Sequence, residues 1–153
     1  MPGTFEFRLE PLLDHRKSIE DRKKRELSSA RGVLEHNLSE IRLLSVESQA
    51  LVTALHGAAA ARRGADRCFY EVQTRRIDAE LALRHARTPA FRAAYIGARD
   101  EFLNATRDRR VIEKLKERMR RAFDAEEARL EEIELDECNA RRHESTRRKR
   151  AAG

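Results

Sequence analysis

The feature that most constrains this chain is a long stretch, residues 98–137, that contains neither proline nor glycine. Its apolar residues recur in alternating steps of three and four, which is the spacing of a helix with one narrow hydrophobic stripe. They are Ala98, Phe102, Ala105, Ile112, Met119, Phe123, Leu130 and Ile133. A stripe this narrow needs only one partner helix, because the remaining faces are crowded with Arg, Lys and Glu.

A second heptad-like stretch runs from Leu12 to Leu55, and it predicts the partner helix. Pro11 suits the first turn of a helix, where its missing N–H costs nothing, so this helix is predicted over residues 11–56 after an extended lead-in at residues 1–10. Its stripe is formed by Leu13, Leu27, Leu34, Ile41 and Leu55. With 39% charged residues, 5% aromatic residues and no Trp, the fold class is predicted as all-α, a long two-stranded antiparallel coiled coil.

Glycine and proline mark the predicted break between the two long helices. Gly57 and Gly64 bracket the best interruption in the first half, and residues 57–88 are predicted as a short, mobile middle segment with some helix. Thr88 followed by Pro89 has the pattern of a helix cap and a first helical position. The second long helix is therefore predicted over residues 89–144, and residues 11–144 as a single coiled-coil domain.

One offset between the two helices matches most of both stripes. It places Leu34 opposite Ile112 and Leu13 beside Ile133, and a slip of one heptad is an open alternative. Three polar layers result: Asn37 meets Arg109, Lys23 meets Phe123, and Glu20 meets Glu126. Polar groups in such a seam cost stability but can fix the register.

No pattern of catalytic or cofactor-binding residues stands out, and we predict no enzyme, no cofactor and no metal site. There is no phosphate-binding loop, dinucleotide turn or zinc helix. His36 and Glu40 are one turn apart, but a tight metal site takes three or four ligands. The acidic residues between Glu126 and Glu137 read as a solvated helix face.

The net charge of +6 is concentrated near the carboxyl terminus, since residues 139–153 carry six basic side chains and one acidic one. Residues 145–153 are predicted as a basic disordered tail. Without neighbouring aromatic residues, such a tail predicts weak, salt-sensitive attraction to polyanions, not specific nucleic-acid binding. Two isolated cysteines fit a reducing cytosol, and no apolar run approaches the length of about 20 residues that crosses a bilayer.

Three groups of residues resemble the FliJ family, the small soluble component of the flagellar type III export apparatus. The resemblance covers residues 5–142. The residues that carry it are Phe5, Phe7, Leu9, Leu12, Leu13, Arg16 and Glu20, then the run 107–118 leading to Glu126, Glu127 and Arg129, and the ending Leu135, Asp136 and Glu137.

The resemblance implies a non-enzymatic coiled coil similar to the central-shaft gamma subunit of rotary ATP synthases. Its implied partners are the hexameric export ATPase (FliI-like), the export-gate membrane protein (FlhA-like) and export chaperones. The implied location is cytoplasmic and peripheral at the inner-membrane apparatus, with roles in flagellar biosynthesis, motility and chemotaxis. Alternatives are a virulence type III counterpart of the YscO type, a generic scaffold or homodimerising adaptor, and a basic nucleic-acid-associated protein.

The analogy with the shaft subunit also implies which residues bind partners. The end with both chain termini, near Leu13 and Ile133, is expected to occupy the ATPase pore, and the gate to contact the middle segment. The partner-binding residues implied are Arg16, Glu20, Arg129 and Glu131, and, on the middle segment, Phe69, Tyr70 and Gln73. Packing of these two aromatic rings onto a neighbouring helix is the alternative, because they bring much area to burial.

Overall fold

Two long α-helices joined by a tight turn make up the chain. The structure is a computed structural model that describes residues 4–151, without the side chains of residues 146 and 149–151. Helix α1 is Glu10–Ala60, helix α2 is Gly64–Ala151, and the described residues contain no strand. The predicted all-α class is confirmed. Residues 1–3 of the predicted lead-in and 152–153 of the predicted tail lie outside the described part.

The turn occupies residues 61–63 and ends α1 with a cap that does not use glycine. Arg62 has a φ of 55°, in the left-handed region where a side chain is strained. The N–H of Arg63 donates to the carbonyl of Ala58 at 3.1 Å, and the N–H of Arg62 donates to Ala59 at 3.2 Å. This is the bonding of a Schellman cap, which usually holds glycine at the left-handed position.

The chain divides into two compact units. Unit 1 comprises Met1–Lys17 and Arg107–Gly153, and unit 2 comprises Ser18–Thr106. Each unit combines part of α1 with part of α2. The prediction that residues 11–144 form one coiled-coil domain stays a prediction.

In unit 2 the two helices run antiparallel, and three polar contacts fix their register. Asn37 Nδ2 donates to Thr88 Oγ1 at 2.9 Å, and Lys23 Nζ donates to Glu101 at 2.6 Å. Nearer the turn, Ser48 and Asp78 are joined at 3.3 Å. From pair to pair one residue number rises as the other falls, and all three pairs are centred on the turn, as two continuous antiparallel helices require.

This register differs from the predicted one. The pairing of Asn37 with Thr88 brings Leu34 to the level of Phe91, 21 residues before Ile112, a shift of three heptads. The offset was wrong because it centred the hairpin on the middle of residues 57–88, whereas the turn lies near the start of that segment, at residues 61–63. A heptad stripe repeats every seven residues, so it matches at several offsets.

Each predicted polar layer is replaced by another pair. Asn37 meets Thr88 and not Arg109, and Lys23 meets Glu101 and not Phe123. For Glu20, the partner is Thr106, which donates to its carboxylate at 2.8 Å, and not Glu126.

The predicted middle segment, residues 57–88, is not a separate element: residues 64–88 form the beginning of α2, which continues through Pro89. A proline inside a helix removes one backbone donor and crowds the preceding turn. Close to it, Thr88 Oγ1 donates to the carbonyl of Arg84 at 2.9 Å, and Asn37 Nδ2 approaches the same carbonyl at 3.4 Å. Both donors bond the carbonyl of Arg84, which is adjacent to that of His85, the carbonyl that loses its helical N–H donor at Pro89.

In unit 1 the amino-terminal segment, residues 4–9, packs against α2. Phe7 is buried, and the ring of Phe5 packs on that of Phe123 with centroids 5.7 Å apart. Glu10 accepts a hydrogen bond from Lys116 at 2.6 Å, and the same ammonium lies 5.8 Å from the centre of the Phe7 ring. The predicted lead-in is therefore packed against the helix, and its alternating aromatic residues are the reason.

The hydrophobic core is a thin seam. The buried apolar residues are Phe7, Leu13, Ala58, Ile77 and Ala105. Most other residues of the predicted stripes are half-buried, as expected where each helix has one partner. Stability is therefore spread over many small contacts.

From residue 128 onward, α2 continues without cover. All described side chains from residue 128 to residue 148 are exposed. The helix nevertheless extends to Ala151, whereas residues 145–153 were predicted to be disordered. Ion pairs between Glu144 and Arg148 at 2.5 Å, and one similar pair before it, have the orientation that stabilises an exposed helix.

Candidate partner-binding surfaces

The residues predicted to bind the ATPase lie in different units of the chain. Arg16 belongs to unit 1, and its Nη1 donates to Asp108 at 2.9 Å across the helix pair. Glu20 belongs to unit 2, where it is half-buried and accepts from Thr106. Both side chains hold α1 to α2, so a partner protein would contact them only in part.

Arg129 and Glu131 lie on the exposed part of α2, away from α1. Two hydrogen bonds, at 2.9 and 3.1 Å, join Arg129 to the carboxylate of Glu126 one turn earlier. The guanidinium lowers the pKa of Glu126, and the carboxylate raises the pKa of Arg129. Because Arg16 is opposite Asp108, Arg129 lies about 30 Å further along the helix, at 1.5 Å per residue. The structure does not bring the two arginines together, contrary to the predicted register.

Near the turn, the structure does bring together the aromatic residues predicted to contact the gate. Phe69 is 59% exposed and meets Tyr70 edge to face, with centroids 5.5 Å apart. Tyr70 and Gln73 are half-buried, one turn apart on α2. The packing alternative therefore holds in part for Tyr70 and fails for Phe69, whose ring faces solvent. Phe69 and the exposed Val72 together form an apolar surface that faces solvent.

Sequence reasoning missed a second apolar surface, on α1. Leu43 is 65% exposed and Val46 is 67% exposed, although both are large and hydrophobic. They lie three residues apart and outside the stripe that contains Ile41 and Leu55. Their positions outside the heptad pattern could have predicted this exposure, because a residue off the seam of a two-helix coiled coil faces solvent.

The described residues show no grouping of three His, Cys, Asp or Glu side chains that could hold a metal ion. Within the same part of the chain, neither helix is sufficiently long and apolar to cross a membrane. Both cysteines, Cys68 and Cys138, are free and exposed.

Comparison with known proteins connects these surfaces to a family. The sequence model of the family described as Flagellar FliJ protein matches residues 5–148. No curated protein and no solved structure matches the chain. The matched region includes the amino-terminal segment, both helices and the exposed part of α2, and it confirms the resemblance found in the sequence. Because the match covers nearly the whole chain, the protein belongs to the FliJ family, a family of components of flagellar type III protein export.

Proposed function

We propose that this protein is a coiled-coil shaft component that binds the export ATPase ring and the export gate and assists the cycling of export chaperones. The observation that carries the proposal is the family match over residues 5–148. The family description is flagellar, which favours the flagellar apparatus over a virulence counterpart. On this proposal the protein works in the cytoplasm, held at the inner membrane by the FlhA-like gate and the FliI-like hexamer.

Unit 1 is the proposed ring-binding part. Its helices carry many exposed charged groups, and the part of α2 around Arg129 has no cover from α1. Such a surface can bias the subunits of a ring through many weak polar contacts, none of which needs a catalytic group. Within unit 1, Arg16 contributes near the helix pair, and Arg129 and Glu131 contribute on the exposed helix. Glu20, which belongs to unit 2, is proposed as a further contact.

The test of this part is stimulation of ATP hydrolysis by the partner ring in a reconstituted assay. Reversing charge in the double variant Arg16→Glu with Arg129→Glu should weaken the stimulation. Since Arg16 also pairs with Asp108, the exchange Arg16→Asp with Asp108→Arg keeps that ion pair and separates folding from partner contact. Reversal of Arg92, exposed in unit 2, is the matched control. Unchanged stimulation by the double variant would refute the placement.

The apolar surface around Phe69 is the proposed gate-binding part. An exposed aromatic residue beside a half-buried Tyr70 and Gln73 resembles an interface anchor, because burying a large ring against a partner releases much water at low entropic cost. Removal of such an anchor typically costs about 2 kcal/mol or more of binding free energy.

Binding to the soluble part of a FlhA-like protein tests this surface. The variant Phe69→Ala should weaken binding by about tenfold or more, which corresponds to about 1.4 kcal/mol. The variant Leu43→Ala removes another exposed apolar side chain, on α1, and is the matched control. Equal binding by wild type and Phe69→Ala would contradict the assignment.

A further inference from the structure

From residue 128 onward, α2 is a helix without a partner helix in the described part of the chain. Every described side chain between residues 128 and 148 is exposed, and three of them are large and apolar: Leu130, Ile133 and Leu135. Isolated helices are only marginally stable in water, so an exposed helix with apolar residues gains stability when another helix packs on it.

Two oppositely charged blocks divide this exposed helix. The acidic block, residues 126–137, has seven carboxylates and one arginine, a net charge of −6. The basic block, residues 141–150, has six basic residues and one glutamate, a net charge of +5. Two copies side by side in parallel would place like charges together, whereas two antiparallel copies would place each acidic block against a basic block.

We propose that the exposed part of α2 is a self-association surface on which a second copy of this chain packs antiparallel. The complementary charge of the two blocks argues for a second copy as the partner, because one symmetric contact pairs the acidic block of each copy with the basic block of the other. Pairs of exposed ions contribute little individually, so the association is weak and sensitive to salt. The proposal does not rest on the proposed function.

The midpoint between the blocks is next to Cys138. In an antiparallel pair centred there, Glu134 of one copy lies near Arg142 of the other, because both residues are one turn from Cys138 on the same helix face. Glu131, Glu134, Leu135 and Cys138 line a shallow surface groove of about 330 Å³ that a second helix would cover. The two Cys138 residues come within about one helical turn of each other, so a disulfide needs only a small adjustment.

The experiment is analytical ultracentrifugation of the full chain under reducing conditions. Wild type should associate at low salt, and raising the salt from about 0.1 to about 1 M, which shortens the Debye length from about 10 to about 3 Å, should weaken association at least tenfold. Wild type that stays monomeric throughout the concentration series, or that associates equally at both salts, would overturn the proposal.

Two charge-reversed variants provide the matched controls. One changes four residues of the basic block to Glu: Arg141, Arg142, Arg147 and Arg148. The other changes four residues of the acidic block to Lys: Glu131, Glu132, Glu134 and Asp136. Each variant alone should be monomeric, and an equimolar mixture should associate, which also demonstrates that both variants are folded. Association of either variant alone at the wild-type level, or a mixture that stays monomeric, would contradict the proposal.

Oxidation provides an independent readout of geometry. A covalent dimer should form in the variant Cys68→Ser, which keeps Cys138, and should be absent in Cys138→Ser. Both cysteines are exposed, so access alone does not decide between them. Cross-linking that proceeds through Cys68 and not through Cys138 would overturn the antiparallel arrangement.

Discussion

The buried contact between Asn37 and Thr88 allows a sharp test of how this coiled coil is held in register. Asn37 is 4% exposed and Thr88 is 8% exposed, and their hydrogen bond is 2.9 Å long. Replacing Asn37 with Leu leaves the threonine hydroxyl its bond to the carbonyl of Arg84 but removes the amide donor, so the buried oxygen is no longer satisfied as an acceptor. A buried polar group left without a partner costs about 1–3 kcal/mol of unfolding free energy.

A loss of about 2 kcal/mol corresponds to a fall of about 4–8 °C in the melting temperature of a chain of this size. Thr88→Val should have a similar effect, because it leaves the Asn37 amide with only the carbonyl of Arg84 at 3.4 Å. The double variant replaces both partners with apolar groups, so it should be destabilised by less than the sum of the two single variants.

Urea unfolding followed by circular dichroism measures the unfolding free energy of the wild type, the two single variants and the double variant, which together form a double-mutant cycle. The exposed Ser28→Ala in α1 serves as the control and should change the unfolding free energy by less than about 0.5 kcal/mol. If the double variant loses the sum of the single losses to within about 0.5 kcal/mol, the two side chains are not coupled and the register argument fails.

Three further predictions follow from single contacts. Pro89→Ala restores a backbone donor inside α2 and should raise the unfolding free energy by up to about 3 kcal/mol, measured by urea unfolding. Phe5→Ala removes the ring that packs on Phe123, and trypsin should then cleave the amino-terminal segment faster than in wild type. Arg129 lowers the pKa of Glu126, so their ion pair stabilises the helix above pH 4.5 and is lost as the pH falls through the lowered pKa. The carboxyl NMR signal of Glu126 should titrate below 4.5 in wild type and return towards 4.5 in Arg129→Gln.

The sequence was sufficient to predict two long helices, because the heptad spacing and the scarcity of glycine and proline constrain the backbone locally. The break predicted between Gly57 and Gly64 contains the observed turn. The sequence did not indicate the cap itself, since Arg62 holds the left-handed position where glycine is the usual signal. Pro89 led to a wrong helix start, because proline is typical of the first turn of a helix but here lies inside α2. Side-chain donors from Thr88 and Asn37 lie beside it.

For the candidate surfaces too, features that depend on local helix position differ from features that depend on the register. Phe69 is exposed, and its exposure depends only on local position in the helix, whereas its contact with a partner stays a prediction. The expected proximity of Arg16 and Arg129 depended on the register, and the register was wrong by three heptads. A repeating stripe gives nearly equal hydrophobic burial at neighbouring offsets, so only the location of the turn could have selected the right one.

The three-residue turn also affects how the chain folds. The polar pairs are separated by 30 residues for Ser48 and Asp78, 78 for Lys23 and Glu101, and 106 for Glu10 and Lys116. If pairs close in that order, like a zipper, each new pair closes only a small additional loop, and the entropic cost of every step stays small. Substitutions beside the turn should then slow folding, whereas substitutions near the chain ends should mainly speed unfolding.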